Sequence, residues 1–519
     1  EGLSRTLRMV GMVLWYGGWV IGGIVLIQGA TPWGIGIRHD SLPYLTAAQS
    51  LSADGCLCRL GSGQELKPLV HFGPLYPTLL WAVTLLSGDI LVSARWVASA
   101  LYGLNLALWG GLVHHYTGRF WTGAIVTTLL AASLVMLQVH DAAMSEPLFL
   151  ALLALALLVL TDYLVTGKRR SLWLAAASVA AAVLTRYAAG LIIPLGAVAV
   201  LLLRRTPWKA RVGDAVRFGI VASLPAALWF ARNQVLAGTA TNRTLRWHPI
   251  TIDDVRTFLQ VVTAWFSARQ YSHWVEGAVL LGVLMGLAIF LWANRTVESG
   301  QVSPASTLGL LLVGLAGSYP ASIAVSRSLF DDSIPIDDRM FAPMFVGLVA
   351  LVGVLAAFVG RGRRFRWILL PVAALLIGVL PYSAGRARDK FESMRQDGVL
   401  FASRAWQESE SMAWVRTLPQ EALVYSNRAE IVQFLASRPV YLIPEGFDSV
   451  KAEARADFEA QLARMRSDLE RPESYLLVFD AARPMTPDDL QEVFMVGLSV
   501  VRVMGDGFVM AKDVSGTNR

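Results

Sequence analysis

Runs of about twenty apolar residues recur along this chain, separated by short clusters of arginine and lysine, and they constrain its fold more than anything else. The clearest is PLFLALLALALLVLTDYLVT, residues 147–166. In hydrocarbon a backbone must satisfy every N–H and C=O internally, so runs of this length are read as membrane-spanning helices. Similar runs lie near 9–29, 90–113, 121–139, 172–188, 189–203, 215–236, 276–294, 306–325, 340–360 and 366–383. With 16% charged and 55% hydrophobic residues, the chain is far from the quarter-charged composition of soluble domains. The expected fold class is therefore a polytopic α-helical membrane protein of about eleven transmembrane helices. The run at 9–29 lacks a small-residue cleavage site and is long enough to span, so it reads as an anchor and not a signal peptide.

Charge asymmetry orients the spans. Arg5, Arg8, Arg119, GKRR (167–170), RRTPWKAR (204–211), Arg295 and RGRRFR (361–366) all fall in alternate gaps. The positive-inside rule makes that side cytoplasmic, with the N-terminus, in a cell membrane. A net charge of +7 distributed in this way gives no nucleic-acid footprint. The opposite side receives the loops 30–89, 140–147, 237–275 and 326–339 and everything after about 384.

Two organisational units follow: a membrane unit over 1–383 and an extracytoplasmic α/β unit over 384–519. Within the first, loop 30–89 carries LPYLTAAQSL and PLYPTLLWAVTLL, apolar but too short to span, and 237–275 has the same character. Both read as interfacial helices. In the second, helical ESESMAWVRTL and AEIVQFLAS alternate with strand-like ALVYSN, PVYLI, SYLLVFD, SVVRVM and GFVMAK, with a charged helix at 452–470 and a short helix near 487–494. That alternation predicts a partly parallel sheet. It has neither a glycine-rich phosphate loop nor a metal-spaced cluster. Cys56 and Cys58 share the first outer loop, and the spacing leaves a bridge or two thiols equally open.

Ionisable groups near membrane depth are costly, which makes them functional candidates. At the expected outer ends lie His39, Asp40, Asp141, Glu146, Arg186 with Tyr187, Arg232 with Asn233, Arg327, Asp337, Asp338 and Arg339. Guanidinium groups suit phosphate and carboxylates suit hydroxyls, so a shared outward cavity would fit a phosphorylated substrate. Each residue also has a plainer reading. Asp40 fits a helix cap, Glu146 a first-turn acid before Pro147, and Arg186 and Arg232 fit snorkelling to headgroups.

The order of these segments resembles the C-type glycosyltransferase superfamily (GT-C), in its branch of protein O-mannosyltransferase-like and lipid A aminoarabinose transferase-like proteins. The resemblance rests on Asp40 after the first span, on Pro74, Leu75, Tyr76 and Pro77 in the first loop, and on Ala94 and Arg95 in the next span. AMSEPLFLALLALALL, LTRYAAGLIIP, WFARNQVLAGT and DDRMFAPMFVGL extend it over about residues 9–383. Many relatives carry paired acids at the first-loop position, whereas Asp40 here is followed by Ser41.

The resemblance implies transfer of a sugar from a polyprenyl-phosphate carrier to a glycan, lipid or protein acceptor on the outer face, usually with inversion. Asp40 would be the base. The arginines at 186, 232, 327 and 339 would hold the donor phosphate, Arg339 and Arg232 foremost. Asp141, Glu146, Tyr187 and His39 would support the sugar or acceptor. No metal is assigned; Asp40, Asp141 and Glu146 would form a divalent-cation site only if they converge. The rival readings are a transporter or flippase for an anionic or lipid-linked substrate, which would place its sites at the midplane within inverted repeats, and a non-catalytic envelope assembly protein.

Overall fold

The computed structural model describes residues 2–266, 303–359, 366–448, 453–479 and 497–512. The expected span at 276–294, the short helix near 487–494 and the basic residues Arg295 and 361–365 lie outside them.

The first half of the chain is helical: α1 (Gly2–Ala30), α2 (Ser41–Ala53), α3 (Leu75–Ser87), α4 (Ile90–Thr117), α5 (Phe120–Ala131), α6 (Leu134–His140), α7 (Glu146–Thr166), α8 (Arg169–Thr185), α9 (Ile192–Leu203), α10 (Trp208–Ala237) and α11 (Ile252–Ala264). After the undescribed stretch come α12 (Pro304–Leu329), α13 (Ala342–Val359) and α14 (Arg366–Asp397). By length and composition, five described helices can cross a bilayer: Met9–Ala30 within α1, then α4, α7, α10 and α12. A sixth is the pair α5 and α6, bent by 65°. The bend falls where Ser133 accepts a hydrogen bond from the Met136 amide at 3.2 Å and caps a new helix. The uninterrupted span expected at 121–139 is thus two pieces. The short pair expected at 172–203 is likewise divided by a 3₁₀ turn, Tyr187–Leu191, leaving α8 at 17 residues. The last helix does not stop at 383 but continues to Asp397.

Helix α4 lies at the centre. Gly23 of α1 faces Gly103 of α4 so closely that a Cβ on Gly23 would sit 2.6 Å from the Gly103 Cα. Small residues at this crossing let the backbones meet, a common basis of helix packing where lipid supplies no hydrophobic drive. The main core, from Ile27, Trp109, Phe149, Val179, Phe218 and Leu312 among others, fills the bundle.

The first loop turns back in a short hairpin, β1 (Cys58–Leu60) with β2 (Leu66–Pro68), beside the disulfide-bonded Cys56 and Cys58. Beyond α14 come α15 (Arg404–Gln407), α16 (Glu410–Thr417), β3 (Leu423–Ser426), α17 (Ala429–Ala436), β4 (Tyr441–Leu442), a small hairpin of β5 (Phe447–Asp448) and β6 (Glu453–Ala454), α18 (Phe458–Leu469), β7 (Ser474–Phe479), β8 (Leu498–Met504) and β9 (Gly507–Lys512). Five of the strands form one mixed sheet in the order β4-β3-β7-β9-β8. The β3 pairings with β4 and β7 are parallel, and the two pairings of β9 are antiparallel.

Side chains alternate across this sheet with the strand period of two. Tyr425, Leu476, Val478 and Met510 face α18, and the Tyr425 hydroxyl donates to Asp468 at 2.8 Å. Val424, Leu477 and Val509 face the other way, into a second core. That core is shared with the first loop: Leu42, Tyr44 and Leu45 of α2, Tyr76 and Leu80 of α3, and Ala94 and Ala98 of α4 all enter it. Helix α2 is consequently buried on most of its surface, between the bundle and α17 of the C-terminal unit, and does not lie bare on a lipid surface as an interfacial helix would.

Candidate active site

The segment after α1 forms no helix of its own. Its backbone is caught on both sides: the Gly36 amide donates to the Asp141 carbonyl at 2.9 Å, and the Phe401 amide to the Ile37 carbonyl at 3.3 Å. The chain then enters α2 with Asp40 at the N-cap position. The Asp40 side chain makes no capping hydrogen bond, so the cap reading does not account for it. Its carboxylate is 48% exposed and lies 3.6 Å from Arg339 Nη1.

Arg339 stands on the turn before α13 and is nearly buried, at 12% exposure. Its Nη1 is 3.3 Å from Glu146 Oε1, and its Nε is 3.9 Å from Asp337. Glu146 opens α7 with Pro147 behind it, so it occupies the first turn as the sequence suggests. It is also buried and shares the same Oε1 with Arg186 Nη1 at 2.8 Å. Arg186 ends α8 and does not snorkel outward: it reaches Ser145 Oγ at 3.3 Å, and Ser145 is joined to the Tyr44 hydroxyl at 2.9 Å. One carboxylate thus holds two guanidinium groups, and one of them faces Asp40. Arg186 and Arg339 thus share buried Glu146, and Arg339 also faces the more exposed carboxylates of Asp40 and Asp337, so its guanidinium stands at the open side with partners that an anionic ligand could replace.

A second layer adjoins this one. Arg243, from the loop after α10, pairs with Asp331 at 3.7 Å, and burial lowers its guanidinium below its ordinary range while Asp331 opposes that. Both Asp40 and Arg186 are near enough to act on it. His71 sits among Arg243, Asp331 and Asp40, and its burial is the main reason that its pKa falls to about 4. It is therefore neutral at pH 7. Tyr187 donates to the Phe72 carbonyl at 2.8 Å and accepts from Trp229 at 2.9 Å, which ties the first loop to α10.

The remaining sequence candidates lie elsewhere. Arg232 stacks on Trp229, 4.5 Å from the ring centre, and donates to the Leu69 carbonyl at 3.2 Å. Arg327 is held by Asp254 of α11 at 2.8 Å and by the Ile334 carbonyl, so it braces the loop before α13. His39 meets Arg428 at 3.3 Å and the edge of Phe401, and its pKa is lowered by burial and then by Arg428. Asp338 accepts from Trp265 at 2.9 Å. Asp141 is fully buried, with Oδ1 3.1 Å from Arg38 and Oδ2 2.8 Å from Lys390.

Asp40 and Glu146 thus share Arg339, whereas Asp141 is taken up by Arg38 and Lys390. Each carboxylate already faces arginine or lysine, which disfavours a shared divalent cation, and no group of three His, Cys, Asp or Glu side chains among the described residues could hold one. Sequence reasoning passed over Tyr44, Arg243 and Lys390. Only Lys390 carried a usable signal, since Arg388 and Glu392 pair at the i,i+4 spacing of a continuing helix.

The whole chain superposes on solved membrane-protein structures. It is similar to ArnT from Cupriavidus metallidurans bound to undecaprenyl phosphate, with a TM-score of 0.60 and 14% identity, covering 97% of this chain and 99% of that one. The apo form of ArnT gives 0.57 over 96% and 97%. The chain has the GT-C fold. Two larger GT-C structures match less fully. Archaeal oligosaccharyltransferase AglB from Archaeoglobus fulgidus, in complex with an inhibitory peptide and a dolichol-phosphate, gives a TM-score of 0.50 at 11% identity, over 90% of this chain and 69% of that one. Arabinofuranosyltransferase AftD from Mycobacteria gives 0.50 at 15%, over 96% and 41%. No protein-family model and no curated protein matches the sequence.

Proposed function

We propose that this protein transfers a sugar from a polyprenyl-phosphate carrier to an acceptor at the outer face of a cell membrane, with inversion and with Asp40 as the base. The observation that carries the reading is the carboxylate of Asp40: half-exposed, uncapped, and 3.6 Å from an arginine whose other side is held by buried Glu146. Asp40 takes the proton of an acceptor hydroxyl as its oxygen attacks the anomeric carbon. The bond from that carbon to the carrier phosphate breaks, and the electron pair leaves with the phosphate oxygen. Arg339, with Arg186 behind it, stabilises the charge that develops there. Undecaprenyl phosphate and dolichol-phosphate in the ArnT and AglB structures are consistent with such a donor.

In this reading the chain crosses the membrane about eleven times, with the N-terminus cytoplasmic and residues 384–519 outside, and Asp40 stands at the outer interface, where a lipid-borne donor and an acceptor meet. The acceptor is a glycan, lipid or protein. Arg232 and Arg327, bound to neighbouring backbone and to Asp254, are weaker candidates for the phosphate than Arg339.

The test is transfer by purified, reconstituted protein from a panel of labelled polyprenyl-phosphate sugars to a crude envelope acceptor fraction, with Asp40→Asn in parallel. Loss of a positioned base lowers turnover by about 10²–10⁴-fold. Undiminished transfer by a folded Asp40→Asn protein rejects Asp40 as the base. No consumption of any donor would favour a transporter or scaffold.

A further inference from the structure

We infer that Lys390 is a positioning residue for Asp40: with Arg38 it closes on the buried Asp141 to form a clamp that fixes the first loop against α14. This rests on the reading of Asp40 as base. The two oxygens of the fully buried Asp141 are divided between two elements, Oδ1 to Arg38 at 3.1 Å and Oδ2 to Lys390 of α14 at 2.8 Å. Arg38 stands two residues before Asp40. Around this ion triad the backbone of the same segment is bridged on both edges, Gly36 to Ala142 and Ile37 to Leu400. Trp33 extends the contact by donating to the Gln396 carbonyl at 3.1 Å, and Gln407 donates back to the Trp33 carbonyl at 2.5 Å.

The pattern has a consequence for catalysis. Asp40 makes no capping hydrogen bond, so its carboxylate is placed by Arg339 at 3.6 Å and by the path of its backbone, which residues 36–38 set. Removing the Lys390 charge leaves Asp141 half-paired in a buried site, where an uncompensated charge is strongly disfavoured. Asp141 or the segment carrying Arg38 then shifts to find water, and Asp40 moves with it. A displacement of about 1 Å at a reacting group can reduce rate about 10²-fold without touching substrate affinity. The donor-phosphate arginines, Arg186 and Arg339, are held by Glu146, whereas Asp141 holds Arg38 and Lys390.

The experiment compares wild type, Lys390→Met, Lys390→Arg, Asp40→Asn and the Asp40→Asn/Lys390→Met double variant. Two readouts are used: steady-state transfer, and hydrogen–deuterium exchange of the peptides spanning residues 34–42 and 398–403. Lys390→Met should lower kcat about 10- to 100-fold with the donor KM within about twofold, and Lys390→Arg should restore most of the loss. Exchange at the two peptides should quicken about tenfold or more in Lys390→Met only. In the Asp40→Asn background, Lys390→Met should have no further effect on rate.

Unchanged exchange overturns the clamp, and so does a loss confined to KM. A full additional kcat loss in the double variant shows that Lys390 does not act through Asp40. If Asp40→Asn stays active while the exchange result holds, the clamp stands and the assignment of the base is what fails.

Discussion

Replacing Glu146 by Gln keeps its shape and removes its charge, which separates two accounts of this residue by magnitude. As a first-turn acid acting on the dipole of α7 it would contribute about 0.3–1 kcal/mol. The geometry demands more. Glu146 Oε1 lies 2.8 Å from one guanidinium and 3.3 Å from another, at 3% exposure. At an effective dielectric of about 20, those separations correspond to attractions of roughly 6 and 5 kcal/mol before hydration is counted. Dehydration of three ions offsets much of this. Deleting one partner of a buried pair leaves the other uncompensated, and typically costs about 3–5 kcal/mol. Equilibrium unfolding of the purified protein in mixed micelles, followed by tryptophan fluorescence, reads the difference. Glu146→Asp sharpens the test. It preserves a first-turn acid yet, one methylene shorter, cannot reach both arginines, so it should fall between wild type and Glu146→Gln. A loss below about 1 kcal/mol for Glu146→Gln, with Glu146→Asp equal to wild type, would refute the two-arginine account.

Further outcomes follow from neighbouring groups. His71 has its folded pKa lowered to about 4 from an ordinary 6.5, so below pH 6.5 the unfolded chain binds the proton first and stability falls with pH, by about 3 kcal/mol at pH 4. Unfolding midpoints measured from pH 7.5 to 5 should decline, and His71→Gln should flatten the decline. Arg327→Gln should lower stability, because Asp254 and the Ile334 carbonyl lose their partner, while leaving the donor KM unchanged; a raised KM would return Arg327 to the phosphate site. Arg438, 2% exposed, donates to the carbonyls of Val415, Leu418, Pro419 and Ala422. Arg438→Leu strands buried acceptors at about 1–3 kcal/mol each and should destabilise the protein by about 3 kcal/mol or more, measured by the same unfolding assay.

Much of this architecture was legible because hydropathy and charge report on membranes directly. Asp40, Glu146, Arg186 and Arg339 were drawn together by a single argument, that ionisable groups at one level of a bundle share a cavity, and they do lie together. The argument fails for Arg327 and Arg232 because level alone does not say which way a side chain turns. It fails for Asp141 because its second cation, Lys390, lies some 250 residues away in a stretch that reads as polar tail. The helical continuation of α14 beyond the apolar run 366–383 is not visible to hydropathy, since strong helix formers and the Arg388–Glu392 pair carry it on. The break between α5 and α6 escaped because apolar composition is continuous across it and one serine makes the bend. The burial of α2 could not be read at all, since part of its cover is α17, nearly 400 residues further along the chain.

That shared core also sets a schedule for biogenesis. Leu45 and Leu80 are made early, and the C-terminal members of the core they share, Val424, Ile431, Leu477 and Val509 among them, emerge only after roughly 340 further residues or more. At about 5–20 residues per second the first-loop helices wait at least some 17–70 seconds for the rest of that core. During that interval their apolar faces are open to lipid, to the insertion machinery or to another nascent copy. The first loop of this protein is therefore its latest element to mature, although it is among the first to be translated.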